Sequence, residues 1–99
     1  MDKFAILALL EARPGKEQEV EAFLKSAQPL AVQEAATTTW YAVKLGPGKF
    51  GIFDTFPSDE GRKAHLAGKV AAALMAKAPD LFAKPPQIFQ LDVLSAKLP

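Results

Sequence analysis

Phe4-Ala5-Ile6-Leu7-Ala8-Leu9-Leu10 is apolar at every position and is closed by Arg13-Pro14-Gly15. A short uninterrupted apolar run ended by turn residues predicts a strand buried on both faces. From Lys16 the spacing changes: Val20, Phe23, Leu24, Ala27, Leu30 and Ala31 recur at intervals of three and four, one stripe of a helix with Glu17, Glu19 and Glu21 near its positive end. Pro29 falls inside that stripe and predicts a kink or restart near Gln28. Thr37 to Leu45 is rich in β-branched and aromatic residues, Gly46-Pro47-Gly48 turns the chain, and Phe50 to Phe56 returns as the second strand of a hairpin. Ser58 suits the cap of a second helix, Asp59 and Glu60 its first turn, and Leu66, Val70, Ala73 and Leu74 its buried stripe. That helix is predicted to end near Lys77, broken by Ala78-Pro79-Asp80, with a short turn carrying Leu81 and Phe82. Pro85-Pro86 then introduces a last strand from Gln87 to about Ala96.

The order is strand, helix, strand, strand, helix, strand: an α+β, ferredoxin-like βαββαβ arrangement with an antiparallel sheet, the first strand lying between the fourth and the third. Helices cover one face of such a sheet. The other face is polar in a monomer, yet the first strand is apolar at both parities and the last alternates Phe89, Leu91 and Val93 with Ile88 and Leu94. The economical cover is a second copy, two sheets face to face about a two-fold axis, because an open patch of this size invites aggregation. A homodimer is the expected assembly.

Ninety-nine residues, 49% of them hydrophobic, make one domain spanning 1–99 and exclude a two-domain enzyme. A net charge of +1 with scattered basic residues offers no field for a polyanion. Ala8, Leu9 and Ile52 occupy the positions where an RNA-binding sheet of this topology carries aromatics, so no nucleic acid is expected as a partner. With no cysteine and one histidine, thiolate and His-rich metal sites are ruled out, and metal chemistry is not expected. The apolar run at the start is too short to span a bilayer and lacks a cleavage site, so the reading is a cytoplasmic protein without a membrane partner.

His65 is the one side chain whose ordinary pKa lies near neutrality, hence the candidate proton acceptor. On a helical wheel it lies about 100° from Leu66, at the margin of the buried stripe, near Ala72 and Ala76. The plainer alternative is a half-exposed histidine paired with a glutamate or water. Trp40 and Tyr41 point to opposite faces of their strand: the tryptophan could stack an aromatic ring and the tyrosine could donate to an oxyanion, or one fills the core and the other an interface. Arg62 and Lys69 flank His65 at i−3 and i+4, placed to hold an anionic substrate or lower the histidine's pKa. Phe50, Phe53, Phe56, Phe82 and Phe89 are core by default, with Phe53 among those that could line an aromatic pocket. Asp54 and Asp92 are read as roughly 10 Å apart across the sheet, better suited to interchain salt bridges with Lys44 or Lys97 than to an acid–base pair. Gly46-Pro47-Gly48-Lys49 lacks the glycine spacing and following Ser or Thr of a phosphate loop.

The element order, the aromatic pair in the second strand, Phe53-Asp54-Thr55-Phe56 entering the second helix and Ala64-His65-Leu66 on that helix resemble the antibiotic biosynthesis monooxygenase family of dimeric α/β barrels, over nearly the whole chain. The resemblance implies oxidation of quinols or aromatic polyketides by molecular oxygen without metal or flavin, or, in related members, haem breakdown. The haem-degrading branch carries an asparagine on its first strand and a tryptophan on its third; this chain has no asparagine, and its one tryptophan, Trp40, is on the second strand. What remains is a cofactor-free monooxygenase of a small aromatic or quinol-like molecule, with His65 catalytic and Trp40, Tyr41, Arg62 and Phe53 binding substrate, or a non-catalytic small-molecule-binding or stress-response dimer of the same barrel. A pocket beside His65 smaller than about 300 Å³ would favour the second.

Overall fold

Strand pairing puts the apolar run at the centre of the molecule. In the computed structural model, which describes residues 1–99, the elements are β1 (Phe4–Glu11), α1 (Glu17–Val32), β2 (Thr39–Gly46), β3 (Lys49–Phe56), α2 (Asp59–Leu66), α3 (Lys69–Leu81) and β4 (Gln87–Asp92). The sheet order is β2-β3-β1-β4 with every pair antiparallel, the ferredoxin-like α+β topology read from the sequence. The β2–β3 hairpin turns through Gly48 at φ 70°, a conformation that costs glycine little and other residues much. No helix is long and apolar enough to cross a membrane.

Alternation along the strands divides the sheet into two unlike faces. Ile6, Ala8 and Leu10 of β1 and Phe50, Ile52, Asp54 and Phe56 of β3 point toward the helices and are all buried. Val20 and Leu24 of α1, Leu74 and Leu81 of α3, and Phe82 just beyond it close the core over them. The opposite face presents Leu7, Leu9, Phe53 and Leu91, half-buried, with Tyr41, Val43, Leu45 and Phe89 exposed around them. In a single chain this apolar face is uncovered.

Three local expectations give way. Helix α1 continues through Pro29 to Val32 without a restart, and α3 carries Pro79 and continues to Leu81 instead of ending near Lys77. Both prolines are on the solvent side, where a carbonyl that loses its helical donor can be hydrated, so neither interrupts the buried stripe. The single second helix is instead two, separated at Ala67-Gly68; Gly68 begins α3 with an extended backbone. The last strand ends at Asp92, where Val93 N–H donates to the carbonyl of Lys3, and Leu94 beyond it is 92% exposed.

Phe82, 2% exposed, locks the end of α3 to the sheet through a bridge with Ala12. Phe82→Ala is expected to cost about 3–5 kcal/mol in urea-induced unfolding, with no loss of topology.

Candidate functional site

The most unusual feature of the core is ionic. Asp54 occupies a position of β3 that alternation commits to the helix side, between Ile52 and Phe56, and is completely buried. Its β2 neighbour in register is Trp40, while Ile6 lies opposite on β1. Above it, α2 begins at Ser58, whose hydroxyl accepts from the N–H of Gly61, and its second turn lowers His65 onto the sheet. His65 is 7% exposed and packs on Phe56, ring centroids 5.2 Å apart.

Both ring nitrogens of His65 meet a carboxylate. Nδ1 lies 2.5 Å from Oε1 of Glu34, just past the end of α1, and Thr37 Oγ1 donates to the same oxygen at 2.9 Å. Nε2 lies 2.9 Å from Oδ2 of Asp54, within pairing distance. Burial alone would pull the imidazole pKa down; the hydrogen-bonding groups and charges of Asp54 and Glu34 outweigh it and hold His65 above its ordinary value of 6.5. Because the carboxylates lie on opposite sides of the ring, their donors do not converge, and no group of three His, Asp or Glu side chains could hold a metal ion.

Glu34 lies against Gly68, where the helix breaks: a Cβ at Gly68 would stand 2.9 Å from Glu34 Oε2, so the carboxylate would have to shift, and a tight 3.2 Å from the carbonyl of Ala64. Three buried polar atoms along this row have no partner in the protein: Glu34 Oε2, Asp54 Oδ1 and Trp40 Nε1. Buried polar groups without partners are uncommon, and here they lie beside one another.

Three adjoining hollows run along the same side. One of about 390 Å³ is bordered by Glu34, Thr37, His65 and Gly68; one of about 220 Å³ by Ala31, Thr37 and Trp40; the third, about 560 Å³, by Leu24, Trp40, Ala42 and Phe50. Thr37 is shared by the first two, and Gln28 and Trp40 by the last two. The hollow beside His65 exceeds the size that would favour the binding-only reading.

The residues expected at the site separate. His65 and Trp40 come together on the helix side. Tyr41 and Phe53 are opposite one another in register on the open face of the sheet, away from His65. Arg62 is turned inward: its guanidinium donates to the carbonyl of Leu91 at 3.1 Å and to Asp59 at 3.0 Å, and lies 5.1 Å above the ring of Phe4. It fastens α2 to the sheet edge, borders none of the three hollows and leaves the histidine's pKa raised instead of lowered. Asp54 is turned to the helix side, fully buried and paired with His65, so it does not present itself to a partner chain's Lys44 or Lys97 as expected, while Asp92, beside Phe4 in register, is exposed. Glu34 was missed, lying beyond the last apolar position of its helix; the signal for Asp54 was a carboxylate on the parity of Ile52 and Phe56.

No family model matches the sequence, and no curated protein matches it. Among solved structures, the protein NE2512 of Nitrosomonas europaea, of unknown function, is 52% identical, with a TM-score of 0.97 over 100% of this chain and 96% of that one. Rv0793 of Mycobacterium tuberculosis has a TM-score of 0.83 at 17% identity, covering 94% of this chain and 96% of its own. A candidate antibiotic biosynthesis monooxygenase of Nitrosomonas europaea has a TM-score of 0.82 at 11% identity, covering 93% and 99%.

A single histidine makes the site directly observable. In an NMR titration the His65 ring is expected to titrate above 6.5, and Glu34→Gln or Asp54→Asn to lower that midpoint. A raised folded-state pKa stabilises fully below the unfolded value and loses its contribution as pH rises through the folded one. The wild-type margin of stability over His65→Gln should therefore shrink on the alkaline side; a midpoint at or below 6.5 would contradict the paired geometry.

Proposed function

We propose that this chain, which belongs to the same family as the Nitrosomonas europaea protein NE2512 and has the fold of the antibiotic biosynthesis monooxygenases, is a cofactor-independent monooxygenase of a small aromatic or quinol-like molecule. The observation that carries this reading is the register pair Trp40 and Asp54, which sets an aromatic wall beside the buried Asp54–His65–Glu34 relay. For a quinol the reaction balances as quinol plus O2 giving hydroxyquinone plus water. One oxygen atom enters the ring as hydroxyl, the other leaves as water, and the substrate supplies all the electrons. The protein's part is to bind the ring, take a hydroxyl proton and leave an electron-rich anion for oxygen to attack.

Glu34 and His65 both border the hollow, and Glu34 is the more exposed of the two, its side chain 17% exposed against 7% for His65. Once deprotonated, the imidazole accepts the substrate proton through Glu34, while Asp54 stabilises the imidazolium that results. Turnover should then rise with pH through the raised His65 pKa.

A specific observation favours the second reading, a non-catalytic binding dimer: both nitrogens of His65 are held by carboxylates, as in a purely structural tie. Oxygen uptake against a panel of quinols and hydroxylated aromatics, with metals chelated, separates the two. Saturable uptake that falls at least about 100-fold in His65→Ala supports the monooxygenase. No uptake above that variant, with ligands still raising the melting temperature, establishes the binding protein.

The open sheet face supports a homodimer in which Leu7, Leu9, Phe53 and Leu91 of two copies meet. Light scattering at micromolar concentration is expected to give twice the 10.6 kDa chain mass, and Leu7→Lys to halve it. A wild-type monomer would sink the assignment of this face.

A further inference from the structure

The largest hollow has a composition that the proposed reaction does not require. Its floor is apolar, formed by Leu24, Trp40 and Phe50, but the rim that closes it is charged: Glu21 and Lys25 on α1 and Lys44 on β2, with Gln28 beside them. Glu21 bridges across the mouth, one carboxylate oxygen 3.6 Å from Lys25 Nζ and the other 4.0 Å from Lys44 Nζ. Two cations share one anion, leaving one positive charge unmatched over an aromatic floor. All three side chains are solvated, with exposures of 46% for Glu21, 78% for Lys25 and 57% for Lys44, so the bridge is weak and opens at little cost.

We infer that this groove takes an aromatic molecule bearing a carboxylate, its ring on Trp40 and Phe50 and its acid group between Lys25 and Lys44, where it completes the charge balance that Glu21 leaves unfinished. This rests on the reading of the Trp40 side as the substrate site and narrows the substrate to an aromatic acid. The ring then extends along Trp40 toward Asp54, its register partner, so the acid is held at the end of the site remote from His65. Fixing the substrate by a charge far from the reacting atoms is how binding energy orients without obstructing the chemistry.

Trp40 is the sole tryptophan, so its indole N–H cross-peak is a single reporter on this groove and the smaller hollow that adjoins it. Titration with 2-naphthoate and, separately, its neutral isostere 2-naphthamide at pH 7 tests the inference without any turnover. The acid is expected to shift the Trp40 signal and bind about fivefold tighter than the amide, a preference the size of a screened surface pair that fades with added salt. Lys25→Met/Lys44→Met should abolish the preference and leave amide binding intact; Glu21→Gln should tighten the acid. Equal affinities for acid and amide, or a preference surviving in the double variant, would overturn the aromatic-acid inference and leave an aromatic site at Trp40 standing. If neither compound moves the Trp40 signal, both the inference and the assignment of this side as the substrate site fail.

Discussion

A buried histidine between two carboxylates is the constraint around which the helices are arranged. Ionisable groups leave water only when paired, and removing one partner of a buried pair typically costs about 3–5 kcal/mol. His65 therefore holds three elements in fixed relation: β3 through Asp54, the end of α1 through Glu34, and α2, on which it sits. Glu34 approaches the chain at Gly68, the residue that stands between α2 and α3 and whose missing side chain leaves room beside that carboxylate. Gly61 meets the same demand one element earlier, since a Cβ there would lie 3.1 Å from Ala36 on the segment between α1 and β2. Helix break, tight loop and buried ion network thus pack against one another.

The strands and their order were legible because burial on two faces, alternation and turn residues are local signals. Position 54 was legible in part: a carboxylate on the parity of Ile52 and Phe56 had to be either a misplaced surface residue or a paired buried one. Choosing between them requires knowing that α2 crosses at that level, which no spacing rule supplies. Glu34 carried no signal, because it lies outside the apolar stripe and acts through a residue 31 positions away. The prolines misled for the opposite reason. Their local cost is real, but it falls on the exposed sides of α1 and α3, where tertiary packing overrides it.

On the proposed reading the same sheet does two jobs, and strand β2 carries a residue for each. Alternation sends Trp40 to the helix side, next to the ion network, and Tyr41 to the open face, opposite Phe53. A second copy seated on Tyr41 and Phe53 would bury apolar area on one face, while the groove floored by Trp40 and Phe50 opens past the edge strand β2, where Tyr41 and Val43 also border it. A one-residue slip in the β2–β3 register would exchange the two faces, moving Trp40 into the interface and Tyr41 against Asp54. The hairpin turn at Gly48 that sets this register thus acts on the site from the far end of the strand, and the chemistry near His65 depends on backbone geometry that touches none of its atoms.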